Sequence, residues 1–207
     1  MQTTLRTIAA ALFLFQVTLI SAATKTPTAA PAPMPKLNLE SSTNKVEFLV
    51  TGDLGGISVP GKVSEDYKGK PLTGELTLNK NQVSGTAIYD LTSLTTGISL
   101  RDNHMKNKYL EVEKYPKAKL TLEPVTLPAD QKVGSTEKIQ FKGNMEVKGQ
   151  TKPVTGTLAA TKTADGHDLR FTWDLKLTDF GIQTPSFMDV TLTEKVNLDV
   201  NVQGKFQ

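Results

Sequence analysis

Arg101, Asp102 and His104 lie within four residues of one another, the one dense polar cluster in a chain of 207 residues with two histidines and no cysteine. A guanidinium and an imidazole near a cavity mouth can hold an anionic or carbonyl head group. The same residues can instead pair among themselves and tie their segment to neighbouring strands, since paired ionic groups are often structural. His104 as a general base is conceivable, but the sequence offers no partner to orient it. Without cysteine there is no thiol nucleophile. His167, just after Asp165-Gly166, reads as an exposed turn residue, so no spacing of imidazoles suits zinc. No nucleophile elbow or phosphate-cradling glycine loop appears. Asp179-Phe180-Gly181 spells the metal-binding triplet of kinases without its partner motifs, a chance match. No catalytic residue, metal or cofactor is expected.

The cluster sits in Ser99–Lys119, a charged stretch with helical spacing. Ser99 followed by Asp102 fits a capping box, with Ser99 accepting from a first-turn N–H. Leu100, His104 and Lys108, or Met105 and Tyr109, share helical faces at i,i+4 spacing. Pro116 stops the helix and returns the chain to extended structure. Some twenty residues of non-strand connection point to function, because long loops in compact domains usually have one.

Around that segment the sequence alternates with a period of two. Leu169, Phe171, Trp173 and Leu175 point one way, as do Ile139, Phe141, Gly143, Met145 and Val147, and again Val83, Gly85, Ala87 and Tyr89. Shorter runs occur at Val46-Phe48-Val50, Leu76-Leu78, Leu120-Leu122 and Val154–Ala160. Pro60 makes 57–63 an edge strand or loop. Strands with one apolar and one polar face belong to antiparallel sheets, and Ala164-Asp165-Gly166 carries a hairpin signal. The fold class is therefore all-β: an antiparallel, lipocalin-like barrel of about eight strands with a short capping helix near residues 99–110, or failing closure a sandwich. The apolar stripe of Phe141, Met145, Phe171, Trp173 and Val200 can line a cavity or fill a core, since an eight-stranded barrel allows both. Glu194 breaks the apolar face of the last strand, which leaves two readings: a bulge that shifts the register, or an inward carboxylate in need of a partner such as Arg101.

The first residues, a basic start, an apolar run from Ile8 to Ile20 and Ser21-Ala22-Ala23, read as a secretory signal peptide. The run is short for a membrane span. Residues 1–23 are thus a leader, 24–40 a Pro/Ala-rich linker, and 41–207 one domain, periplasmic or secreted. Loss of Arg6 with the leader takes the formal charge from +3 to +2. That is too mild for nucleic acid, and neither nucleic-acid binding nor stable membrane insertion is expected.

The residues from Thr92-Ser-Leu-Thr-Thr-Gly97 through Arg101-Asp-Asn-His104 to Lys114-Tyr-Pro116 resemble the signature of the YceI-like family. Phe141-Lys-Gly-Asn-Met-Glu-Val-Lys-Gly-Gln-Thr-Lys-Pro-Val154 and Asp179-Phe-Gly-Ile182 are similar to its later parts, so the likeness runs from about Lys45 to Val202. It implies a barrel that holds a polyisoprenoid, such as an isoprenoid quinone or prenyl chain. That resemblance implies that the apolar stripe lines a cavity and moves Arg101, Asp102 and His104 toward its mouth, with a role in pinning the helix still open. The ligand-binding candidates are Arg101, Asp102, His104, Met105, Tyr109, Phe141, Met145, Phe171, Trp173, Phe187 and Glu194. The head group is expected near Arg101, His104 or Glu194. The chain departs from the family at Gly52–Gly61, where its usual histidine is missing, and in the short turn between Ala160 and Asp168. The expected function is an exported lipid carrier, with a homodimer compatible. The alternatives are a stress-response or interaction module using the barrel as a scaffold, and an enzyme acting on the bound lipid.

Overall fold

The computed structural model describes residues 33–52, 58–187 and 190–207, with backbone alone at 51, 52, 187 and 190. The expected leader and most of the expected linker therefore lie outside the described residues. The strands are β1 (Lys36–Asn38), β2 (Thr43–Gly52), β3 (Ser58–Val63), β4 (Leu72–Asn79), β5 (Gln82–Asp90), β6 (Leu94–Thr95), β7 (Lys117–Thr126), β8 (Thr136–Val147), β9 (Gln150–Lys162), β10 (His167–Lys176), β11 (Ser186–Phe187) and β12 (Val190–Gly204). Instead of about eight strands there are twelve among the described residues, three of them only two or three residues long.

All pairings are antiparallel, in the order β1-β4-β5-β7-β8-β9-β10-β12-β2-β3-β6, with β11 beside β12. The sheet curls into a lipocalin-like half-barrel. Closure comes from short pieces and not from a continuous ladder. On one edge Lys36 N–H donates to the Gln207 carbonyl at 2.7 Å, and Gln207 N–H returns to Lys36 at 2.9 Å, which brings β1 back to the end of β12. On the other edge β6 takes up β3 at Lys62 and Val63. Leu37 and Leu39 are fully buried, so the fold begins near residue 36 and the linker stops short of residue 40. Pro60 pairs opposite Leu49 in β3, near the sheet's edge, as a strand proline should.

The alternation seen in the sequence is the alternation of burial. In β10, Leu169, Phe171, Trp173 and Leu175 are buried; in β8, Phe141, Gly143, Met145 and Val147 are. Lys148 and Gly149, at φ 50° and 72°, form the two-residue turn of the β8–β9 hairpin, where a left-handed backbone matches the twist of the strands. The hairpin expected at Asp165-Gly166 joins β9 to β10.

Two local expectations change. Ser99 does not cap the helix: Ile98 occupies that position, without a side-chain hydrogen bond, and Ser99 is the first helical residue. The helix α1 (Ser99–Asn103) runs on through His104–Tyr109 with wider i→i+5 bonding, as in Leu110 N–H to Met105 O at 2.9 Å. Glu194 lies where the register with β2 slips between Leu192 and Val196. The bulge reading therefore holds, and the inward carboxylate does not.

Candidate functional site

The inward side chains of β4, β5, β7, β8, β10 and β12 surround an apolar space of about 60 Å³, bounded by Leu39, Leu72, Leu76, Tyr89, Leu120, Met145, Phe171 and Trp173 among others. That is room for about two waters, against roughly 300–1,000 Å³ for a ligand pocket. The interior is thus mostly filled. Phe141 does not border the space. Its ring meets Phe171 edge-on at 5.5 Å and Trp173 at 5.9 Å, the favoured arrangement of aromatic quadrupoles. Gly156, opposite both Phe141 and Trp173 in the ladder, makes this possible, since a Cβ there would stand 2.7 Å from each side chain.

Two polar atoms reach this wall. The Tyr89 hydroxyl shares a 3.0 Å hydrogen bond with the fully buried Ser93, whose Oγ also meets the Asp90 carbonyl at 2.6 Å. Burial pushes the Tyr89 phenol up to about 12, the Ser93 hydrogen bond acting the other way. Trp173 differs: its indole is buried and its N–H has no acceptor.

The polar cluster of α1 is satisfied within its own segment. The Asp102 carboxylate accepts from Thr96 N–H at 2.7 Å, Thr95 Oγ1 at 2.6 Å and Thr96 Oγ1. Burial alone would raise its pKa, but these hydrogen bonds outweigh that and hold it below the usual carboxylate range. Arg101 donates from Nε to Thr96 Oγ1 and from Nη2 to Thr96 O, both at 2.8 Å. His104 lies on the exposed face of the helix with Leu100 and Lys108. Met105 and Tyr109 pack against the core, and the Tyr109 hydroxyl accepts from Ser186 N–H at 3.3 Å.

Of the residues singled out from sequence, Met145, Phe171 and Trp173 border the interior space and Phe141 packs beside it. Arg101, Asp102, His104, Met105 and Tyr109 form a separate helical cover that does not border it. The Phe187 side chain lies outside the described residues. Glu194 is half-exposed and paired with Lys176 at 3.0 Å and Thr178 Oγ1 at 3.0 Å. Sequence reasoning placed Tyr89 on an inward face without a polar role and overlooked its neighbour Asp90, which accepts from the Tyr67 hydroxyl at 2.7 Å and from Thr92 N–H at 2.9 Å. Asp90-Leu-Thr92 carried the signal, an acidic residue placed to cap a tight turn. Among the described residues no group of acidic and imidazole side chains could hold a metal.

An antiparallel sheet curled around an apolar interior, with a helical cover beside it, defines a lipocalin-like β-barrel protein. The YceI-like domain model matches residues 37–204, and the chain belongs to that family. The structure of BcnA from Burkholderia cenocepacia is similar at 15% identity, covering 77% of this chain and 94% of that one, with a TM-score of 0.61. A polyisoprenoid-binding domain from Saccharophagus degradans is similar at 13% identity, covering 82% and 97%, with a TM-score of 0.59. At these identities the likeness shows the fold. No curated protein matches the chain.

Proposed function

We propose that this protein is an exported, non-enzymatic carrier that holds a polyisoprenoid or similar long apolar ligand inside its curled sheet. The observation that carries the reading is the interior itself: inward apolar side chains from six long strands surround a mostly filled core that still keeps an apolar space of about 60 Å³. The polyisoprenoid-binding domain of Saccharophagus degradans shares the fold and supports the ligand class. The leader-like N-terminus supports export to the periplasm or beyond. A bound hydrocarbon would gain roughly 0.8 kcal/mol per buried methylene before ordering costs. It must displace the side chains that now fill the barrel, among which Met145 is the most adaptable.

Mass spectrometry of lipids extracted from protein purified from its native host tests the reading. A co-purifying lipid with a prenyl chain is expected. Its absence, together with no uptake of added prenyl lipids, would overturn the carrier function.

A further inference from the structure

The ladder of the barrel wall parts between β9 and β10, as it also does between β7 and β8. Strand β10 follows β9 in register from His167↔Lys162 to Trp173↔Gly156 and then leaves it. Beyond that pair, Gln150–Thr155 of β9 keep only β8, and Asp174–Lys176 of β10 keep only β12. Pro153 fits this parting, because it has no N–H to give a strand on that side. Between the separated strands lies a groove of about 510 Å³. The inner space holds about 60 Å³, and Trp173 borders both. Its indole N–H, in a side chain only 6% exposed, has no acceptor. A buried donor without a partner is costly, and because Trp173 also lines the groove it invites an acceptor from outside the chain.

The charges around the groove narrow the kind of acceptor. Lys152 and Lys176 face Asp174 and Asp179, which leaves the lining without net charge. Lys176 is engaged by Glu194 at 3.0 Å, and Asp174 by Lys195 at 2.8 Å. A diphosphate wants a cluster of cations with no acidic neighbours, whereas a neutral oxygen needs only the N–H. The parting also answers the problem of volume. Widening the barrel where strands are paired breaks ladder bonds, but between Thr155 and Asp174 there are none of these to break.

We infer that the parting of β9 and β10 is a side door to the barrel, at which Trp173 binds the neutral hydroxyl or carbonyl head of a ligand whose apolar tail passes inward. This rests on the carrier reading above and adds to it a route and a head-group class.

The test uses three probes, geranylgeraniol, geranylgeranyl diphosphate and phytane, with binding read by native mass spectrometry. The wild-type protein should hold the alcohol more tightly than the diphosphate. Trp173 is the chain's only tryptophan, so its emission should move to the red with the alcohol and not with phytane. Trp173→Phe should weaken the alcohol about five- to tenfold, the worth of one hydrogen bond, and leave phytane unchanged. In a Thr155→Cys/Asp174→Cys variant, whose two thiols are the only ones in the chain, a short bis-maleimide joining them should block uptake, while the singly capped control loads normally. Tighter binding of the diphosphate, equal effects of Trp173→Phe on alcohol and phytane, or normal loading of the bridged protein would each overturn the side door while leaving the carrier function standing. Failure of the wild-type protein to bind any of the three would overturn the carrier reading, and the side door with it.

Discussion

The knot at Thr95–Asp102 and the wall at Trp173 handle polarity in opposite ways. In the knot, Arg101 and Asp102 spend their hydrogen bonds on Thr95 and Thr96, two neighbours in the chain. In the wall, a single indole N–H stands buried among apolar groups with nothing to bond. The cluster that looks most reactive on paper is thus the better satisfied of the two, and its geometry is that of a fastening. On the carrier proposal, that unmet capacity stands where the ligand would arrive.

The sharpest way to break this comparison is to remove the wall and spare the knot. Phe141 is 1% exposed and joins Phe171 and Trp173 edge-on. Phe141→Ala should cost about 4 kcal/mol through lost burial and the cavity left behind, read as a lower urea midpoint with an unchanged slope. A loss under about 1 kcal/mol would mean that the interior is loosely organised, and Trp173 would lose its rigid setting. Next in size is Asp102→Ala, which removes the acceptor of three hydrogen bonds. It should cost about 2 kcal/mol, as for hydrogen bonds to a charged group. Faster amide exchange confined to residues 99–110 is expected, with geranylgeraniol affinity unchanged. If affinity falls while β8 to β10 remain protected, Asp102 belongs to the head-group site after all.

The wall was legible in the sequence, while the knot had two readings there and its cap was misplaced, for physical reasons. Alternation in Leu169–Leu175 and Ile139–Val147 records burial directly, because every second side chain of a strand faces the core. The turn at Lys148-Gly149 is equally local. Ser99 as a cap failed because Asp102 serves residues before the helix, and a pattern in sequence cannot tell which end of a carboxylate's reach is occupied. Glu194 was left open because parity along a strand is lost across a bulge, and the two-for-four slip at Leu192–Val196 depends on the partner strand β2. The parting at Gly156 was invisible for the same reason. Pro153 was its one local sign, and a proline also fits an ordinary edge.

A smaller effect separates the two regions by pH. His167 Nδ1 is buried without a partner, its ring against Phe206 at 5.5 Å. Burial first, and then the nearby Lys162, hold its pKa below 6.5. The unfolded chain therefore takes up this proton more readily than the folded one. The stability contribution is complete above about pH 6.5 and is lost as pH falls through the folded value. Asp102, its pKa also lowered in the fold, keeps its contribution above its unfolded value of 3.8 and loses it only in stronger acid. Wild-type Tm should therefore drop between pH 7.5 and 5.5, and His167→Phe should lessen that drop while Asp102→Ala leaves it intact. An equal drop in all three would assign it to other groups.

Glu194→Gln is the mildest change, and it tests whether the bulge removes that carboxylate from the interior. Its partners Lys176 and Thr178 are on the outer surface, and both members of the ion pair are about half-exposed. An exposed pair of this kind contributes little, and less in salt. Glu194→Gln keeps an acceptor for Thr178 and should leave the urea midpoint almost unchanged. Lys176 would then be released beside the groove at the β9–β10 parting, which gains one uncompensated positive charge. Binding of geranylgeranyl diphosphate should therefore improve slightly relative to geranylgeraniol, and the gain should vanish at high ionic strength. A large rise in stability would instead indicate a carboxylate forced against the apolar interior, and the register of β12 would have to be redrawn.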